Sequence, residues 1–131
     1  MRRSDWCEQL WNAIADAERR PFFYGACVQL TAECIDAMTD SNLVEKIRPL
    51  YSSEAAARAL IEQPGSFEKL VTEFLGDATP PLLARRGDAV LLELSTGPAT
   101  GVCVGYRVAC AASVGVLFLP LSQALATWRV D

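Results

Sequence analysis

Histidine is absent from all 131 residues. That absence removes the usual proton acceptor for a serine or cysteine nucleophile, so the chain by itself is not expected to run histidine-dependent catalysis. Long apolar stretches are missing as well. None approaches the ~18–20 residues needed to span a bilayer, and no membrane span is expected. Met1-Arg2-Arg3-Ser4-Asp5 starts basic, like an export signal, but the apolar run that should follow does not come. Synthesis and folding in a cytosol is the expectation. There is no excess of basic residues either: 12 Lys and Arg stand against 16 Asp and Glu, for a net charge of −4. Such a surface repels phosphate, which argues against nucleic-acid binding. Internal repeats and low-complexity tracts are also lacking.

The five cysteines, Cys7, Cys27, Cys34, Cys103 and Cys110, are odd in number and include no Cys-x-x-Cys pair. The two spacings of seven (27/34 and 103/110) match no common zinc pattern. An iron–sulfur or metal site would need Cys27, Cys34, Cys103 and Cys110 to converge in space, and the spacing gives no positive sign of it. No metal and no cofactor are expected. Buried free thiols acting as small apolar side chains are the simplest reading.

What is present is globular: half of the residues are hydrophobic and about a fifth charged. The length suits one domain over 1–131, with a helical part at about 4–76 and a sheet part at about 87–130. Charge is unevenly placed. Residues 1–80 hold 13 acidic and 8 basic groups, whereas residues 81–131 hold 3 and 4. The second part is therefore either a buried sheet or an apolar face shown to a partner.

Trp6, Leu10, Ile14 and Ala17 recur at helical spacing and predict a helix from about Trp6 to Arg19, with Asp5 as N-cap and Glu8 completing a capping box. Pro21-Phe22-Phe23-Tyr24-Gly25 breaks it. A second helix follows over Cys27–Met38, then an Asp40-Ser41-Asn42 turn and a short turn of helix at 43–47. Ser53 is expected to cap a helix at 54–62, and Ser66 another at 67–75 with Phe67, Leu70, Val71 and Phe74 inward and Gly76 after its end. Beyond Thr79-Pro80-Pro81 the pattern changes to short strands: 89–94, 100–104, 106–109 and 114–119, with turns at Gly87-Asp88 and Gly97-Pro98. A brief helix at 121–126 and a last strand at 128–130 complete an α+β layout, N-terminal helices packed on a small antiparallel sheet.

Cys27 is the residue that carries most chemistry. It stands near the start of a predicted helix, where the dipole lowers a thiol pKa, as in papain-like hydrolases; the bland alternative is a small buried residue. A carboxylate serving as its base would raise that pKa instead. In Arg85-Arg86-Gly87-Asp88 the acid is expected to bond to its own loop. Gly101 and Gly105 flank a short strand without the GxGxxG spacing of a dinucleotide site, so close backbone packing is expected there. Trp6, Trp11 and Trp128 are expected to be core or interface anchors.

Taken in order, several segments resemble a family. They are Asp5-Trp6 with the Trp-Leu-rich first helix, Arg20-Pro21-Phe22-Phe23-Tyr24-Gly25, Cys27 with Ala32-Glu33, and Tyr51-Ser52 with Ala55-Ala56-Ala57-Arg58-Ala59-Leu60. Ala84-Arg85-Arg86-Gly87-Asp88, Gly101-Val102 with Gly105, Leu117 to Leu121, and Ala126-Thr127-Trp128-Arg129-Val130 continue the series. The chain resembles an uncharacterised domain family of phage and prophage tail-gene clusters, similar to the NlpC-type papain-like cell-wall peptidases of tail tips. That family carries Trp-Gly, two variable residues, then Asp-Cys. Here Tyr24-Gly25 runs directly into Ala26-Cys27. With a two-residue gap Cys27 takes the nucleophile position and Ala26 replaces the acid; without the gap Gln29 stands there. The family's histidine position falls to Thr100. The resemblance implies an NlpC/papain-like fold and an inactive structural part in a tail tip or baseplate. It implies other tail and baseplate proteins as partners in a multi-protein assembly, and a place in the virion tail after synthesis in the host cytoplasm. The alternative it leaves is a cysteine amidohydrolase or peptidase acting on host peptidoglycan through Cys27.

Overall fold

Leu10, Ile14 and Ala17 are buried along one stripe of the first helix, α1 (Trp6–Glu18), with Trp6 half-buried beside them. The structure is a computed structural model describing residues 1–21, 26–51, 53–63, 65–95, 97–112 and 115–131, without the side chains of 57, 60, 61, 66 and 67. Asp5 stands at the N-cap of α1 but makes no side-chain cap bond. Its carboxylate accepts instead from Arg3 at 2.9 Å and Gln9 at 2.9 Å, and these partners, Arg3 first, hold it down at about 2. The capping box expected with Glu8 is therefore not formed.

The second helix, α2 (Ala26–Thr39), is buried almost all round, with Leu30, Ala32, Cys34 and Met38 each at most 1% exposed. It is the central helix, packed between α1 and the sheet, and its apolar positions run round the helix because it is covered on two sides. The short α3 (Leu43–Ile47) takes its cap from α2. Asp36 accepts from the Leu43 N–H at 2.7 Å and the Val44 N–H at 3.0 Å, while Asn42 contributes no side-chain bond. A 3-10 turn over Arg48–Tyr51 leads to α4 (Glu54–Glu62), which Ser53 caps through the Ala56 N–H at 3.1 Å. Helix α5 (Ser66–Leu75) starts one residue earlier than expected, so Gly65 in a left-handed conformation, rather than Ser66, holds the cap position.

The chain is α+β. After the helices come β1 (Ala89–Leu94), β2 (Gly97–Cys103), β3 (Arg107–Ala111), β4 (Val116–Pro120) and β5 (Ala126–Trp128). They form one antiparallel sheet in the order β4-β3-β2-β1-β5. Gly97 and Pro98 belong to β2, opposite Leu94 and Glu93, rather than to a turn. The expected helix at 121–126 shortens to a 3-10 turn over Leu121–Gln123, since Ala124 is already extended and the Leu125 N–H bonds to Leu91 across the sheet edge. The last strand accordingly lies at 126–128. Most of the aromatic loop at 21–25, the inward Phe67 and the start of a strand at Val114 fall outside the described residues.

Both faces of the sheet are covered near its centre. Ala89, Leu91, Val102, Ala109 and Trp128 meet the helices, whereas Val90, Leu92, Cys103, Val108 and Cys110 form a second cluster closed by Ala84, Leu119, Leu121 and Ala124. Gly101 marks the tightest approach: a Cβ there would stand 2.5 Å from the Ala109 carbonyl oxygen and 2.7 Å from Val108 Cγ1. Gly105 differs, being a turn residue at φ +121 with space around it.

Asp88, fully buried, joins three segments. Its Oδ2 accepts from the Arg85 N–H at 2.9 Å within its own turn, and its Oδ1 accepts from Arg2 at 3.1 Å and from the Val130 N–H at 3.2 Å. Arg2 also donates to the Val130 carbonyl at 2.6 Å and the Arg86 carbonyl at 2.9 Å, and its guanidinium lies 4.3 Å over the Trp6 ring. Among the described residues no helix is long and apolar enough to cross a membrane.

Candidate functional site

Cys27 is the second residue of α2, and β2 runs past it. The two meet through hydroxyl groups. Thr100, 2% exposed, donates to the Cys27 carbonyl oxygen at 3.1 Å. Thr31, one turn along α2, lies 2.9 Å from the same carbonyl and 3.0 Å from Thr100 Oγ1. Each hydroxyl carries one proton, so with Thr100 donating to the carbonyl, Thr31 donates either to that carbonyl or to Thr100 Oγ1, one at a time. The cluster fixes the first turn of α2 on β2. Gly101 presses the same stretch of β2 against β3, so position 100 is held from both sides.

The thiol is not activated by this setting. Burial pushes the Cys27 pKa up, and hydrogen-bonding groups of Thr100 and Val28 pull it only part of the way back. The favourable field of a helix N-terminus is worth little beside the cost of confining a thiolate among apolar groups. Burial acts in the same direction on Cys103, and raises Cys34 and Cys110 to about 12. All five cysteines are free. Cys110 stands near enough for its thiolate to be disfavoured by that of Cys27. Cys34 belongs to the helix-side cluster and Cys103 and Cys110 to the other, with Cys27 against both. Among the described residues no three His, Cys, Asp or Glu side chains come together as metal ligands.

The space beside the cluster is small. An apolar cavity of about 30 Å³ abuts Thr31 and Thr100, with Val28, Ile47 and Leu70 in its walls. That is room for little more than a water molecule. A wider groove of about 470 Å³ lies at the other end of α2, between Thr39, Lys46, Phe74 and Arg129, and does not include Cys27.

Reactivity follows from these surroundings. Iodoacetamide is expected to alkylate Cys27 more slowly at neutral pH than a cysteine in the unfolded chain, with the rate still climbing above the ordinary thiol pKa. Peptide mapping after timed labelling checks this; labelling faster than in the unfolded chain would contradict the raised pKa.

Two of the sequence-predicted positions, Cys27 and Thr100, are thus brought together across 73 residues of chain. Gln29, the ungapped alternative, accepts from the Tyr51 hydroxyl at 3.1 Å instead. The carboxylate hub at Asp88 was not legible as a site, since Arg2 and Val130 lie 86 and 42 residues away, nor was the capping role of Asp36, which reaches the start of α3 from inside α2. No curated protein matches the sequence significantly. Residues 1–130 match the family model described as a domain of unknown function, DUF6950, and the chain belongs to that family.

Proposed function

We propose that this protein is a structural or assembly component of a tailed-phage tail tip or baseplate, built on an inactive NlpC-like fold. The observation that carries the inactive part is that the side chain β2 brings to Cys27 is the Thr100 hydroxyl, which donates to the Cys27 backbone carbonyl. A threonine hydroxyl supplies a hydrogen bond but does not accept the thiol proton at neutral pH. The raised thiol pKa, and a cavity beside Thr31 and Thr100 with room for little more than a water, support the same reading. Hydrolysis of peptidoglycan by Cys27 would need a base from a partner subunit. The phage setting rests on the ordered motif series from Asp5-Trp6 to Trp128-Arg129-Val130. Apolar side chains left at the surface, including Trp11 and Leu117, are what neighbours in an assembly would cover.

Mass spectrometry of purified phage particles from a culture encoding this chain tests the proposal. Peptides of the chain are expected at a fixed stoichiometry to known tail proteins, in the virion rather than the lysate alone. Intact particles that lack it would overturn the virion role.

A further inference from the structure

The free edge of the sheet is β4. Its register on β3 pairs Arg107 with Pro120, Ala109 with Phe118 and Ala111 with Val116. Two flanking bonds fix which groups face which way: the Leu121 N–H bonds to the Tyr106 carbonyl at 2.8 Å, and the Ala112 N–H to the Gly115 carbonyl at 3.0 Å. Bonded and non-bonded pairs alternate along an antiparallel ladder. Residues 115, 117, 119 and 121 therefore turn their backbone groups to β3, and Val116, Phe118 and Pro120 turn theirs outward. Among the described residues no strand lies beyond β4.

We infer that this edge pairs antiparallel with β4 of a second copy of the chain, about a two-fold axis through Phe118. The outward groups are symmetric about that residue. Phe118 would exchange two bonds with its mate, and the Val116 N–H of each copy would reach the other's Pro120 carbonyl. Pro120 has no N–H to offer, but it lies at the end of the ladder, where that loss is tolerated. The side chains match under the same symmetry. Leu117, 46% exposed, falls opposite Leu119 of the mate. On the helix face Phe118 packs beside Trp11, their rings 6.4 Å apart, and Trp11 is 42% exposed. The two-fold would lay one such ring pair against the other.

Charge favours a like partner. Residues 108–128 contain no Asp, Glu, Lys or Arg, and 13 of the 16 acids lie in residues 1–80. The edge lacks the lysine that commonly guards an open strand. The edge strand itself therefore brings no like charges together; the acids of the neighbouring α1 and the net −4 of each copy oppose the contact, a repulsion that salt screens. A five-residue edge with few flanking rings buries less than the ~800 Å² per partner of a standard interface, so a weak, concentration-dependent dimer is expected.

Sedimentation equilibrium of the full chain over a wide concentration range tests this, paired with hydrogen exchange read amide by amide. A monomer–dimer equilibrium is expected, tighter at higher salt. The Val116 and Phe118 amides should gain protection with concentration, while those of Leu117 and Leu119, already bonded to β3, should not change. Leu117→Lys should abolish dimerisation without lowering the melting temperature of dilute protein, since the position is half-exposed. A chain monomeric throughout would overturn the inference. So would a dimer that survives Leu117→Lys with the Val116 and Phe118 amides still open.

Discussion

Asp88→Ala is expected to destabilise the fold by about 3–5 kcal/mol, the usual cost of removing one partner from a buried, hydrogen-bonded ion pair. The reason is the number of donors left behind. Arg2, with 16% of its side chain exposed, would lose its counter-charge, and the N–H groups of Arg85 and Val130 would lose their acceptor. Asp88→Asn should cost less than alanine but remain harmful, because an amide NH₂ would face one of these donors. Arg2→Ala should be milder too, since Asp88 keeps two backbone donors. The double variant should fall short of the sum of the single ones, as partners in one network do. Small domains have about 5–15 kcal/mol in all, so the alanine variant approaches the limit of folding at room temperature. Urea unfolding followed by circular dichroism measures it. A loss below about 1 kcal/mol would show that the three segments do not depend on the carboxylate.

The second large effect lies at Trp128, fully buried on the short strand β5. Trp128→Ala is expected to cost about 3–5 kcal/mol through lost burial and the cavity left behind. Its indole N–H also donates to Thr72 on α5 at 3.2 Å, so the variant should loosen that helix more than the rest. Trp128→Phe should retain most of the packing and lose mainly the bond. Unfolding curves for both variants, with amide exchange in α5, separate the terms. Equal losses for the two would mean the hydrogen bond, rather than the ring volume, dominates.

Much of the fold was legible because its signals are local. The stripe of Leu10, Ile14 and Ala17, the Ser53 cap and the limits of β1 all follow from neighbours a few residues apart. What escaped was decided by competition or by distance. Asp5 looked like a cap, but Arg3 and Gln9 take its carboxylate. Gly97-Pro98 looked like a turn, but pairing with β1 extends the strand through both. The own-turn bond of Asp88 was expected, whereas its links to Arg2 and Val130 span 86 and 42 residues and leave no periodic trace. Cys27 drew attention by its place before a helix. Its partner Thr100 was reachable only through the family resemblance, because nothing in a lone threonine marks it as the neighbour of a thiol.

The close approach at Gly101 bears on which side chains position 100 can hold. An imidazole at position 100 would have to occupy the volume now filled by two interlocked hydroxyls and their carbonyl acceptor. Making room would mean displacing β2, which α2 covers on one face and β3 flanks at its side. Toward β3 the strand has no slack, because a single added carbon at the next residue already collides with the Ala109 backbone. A histidine introduced there would disturb the sheet before it could accept a proton. The packing therefore suits a side chain of about threonine's size at position 100 and leaves little room for a larger one.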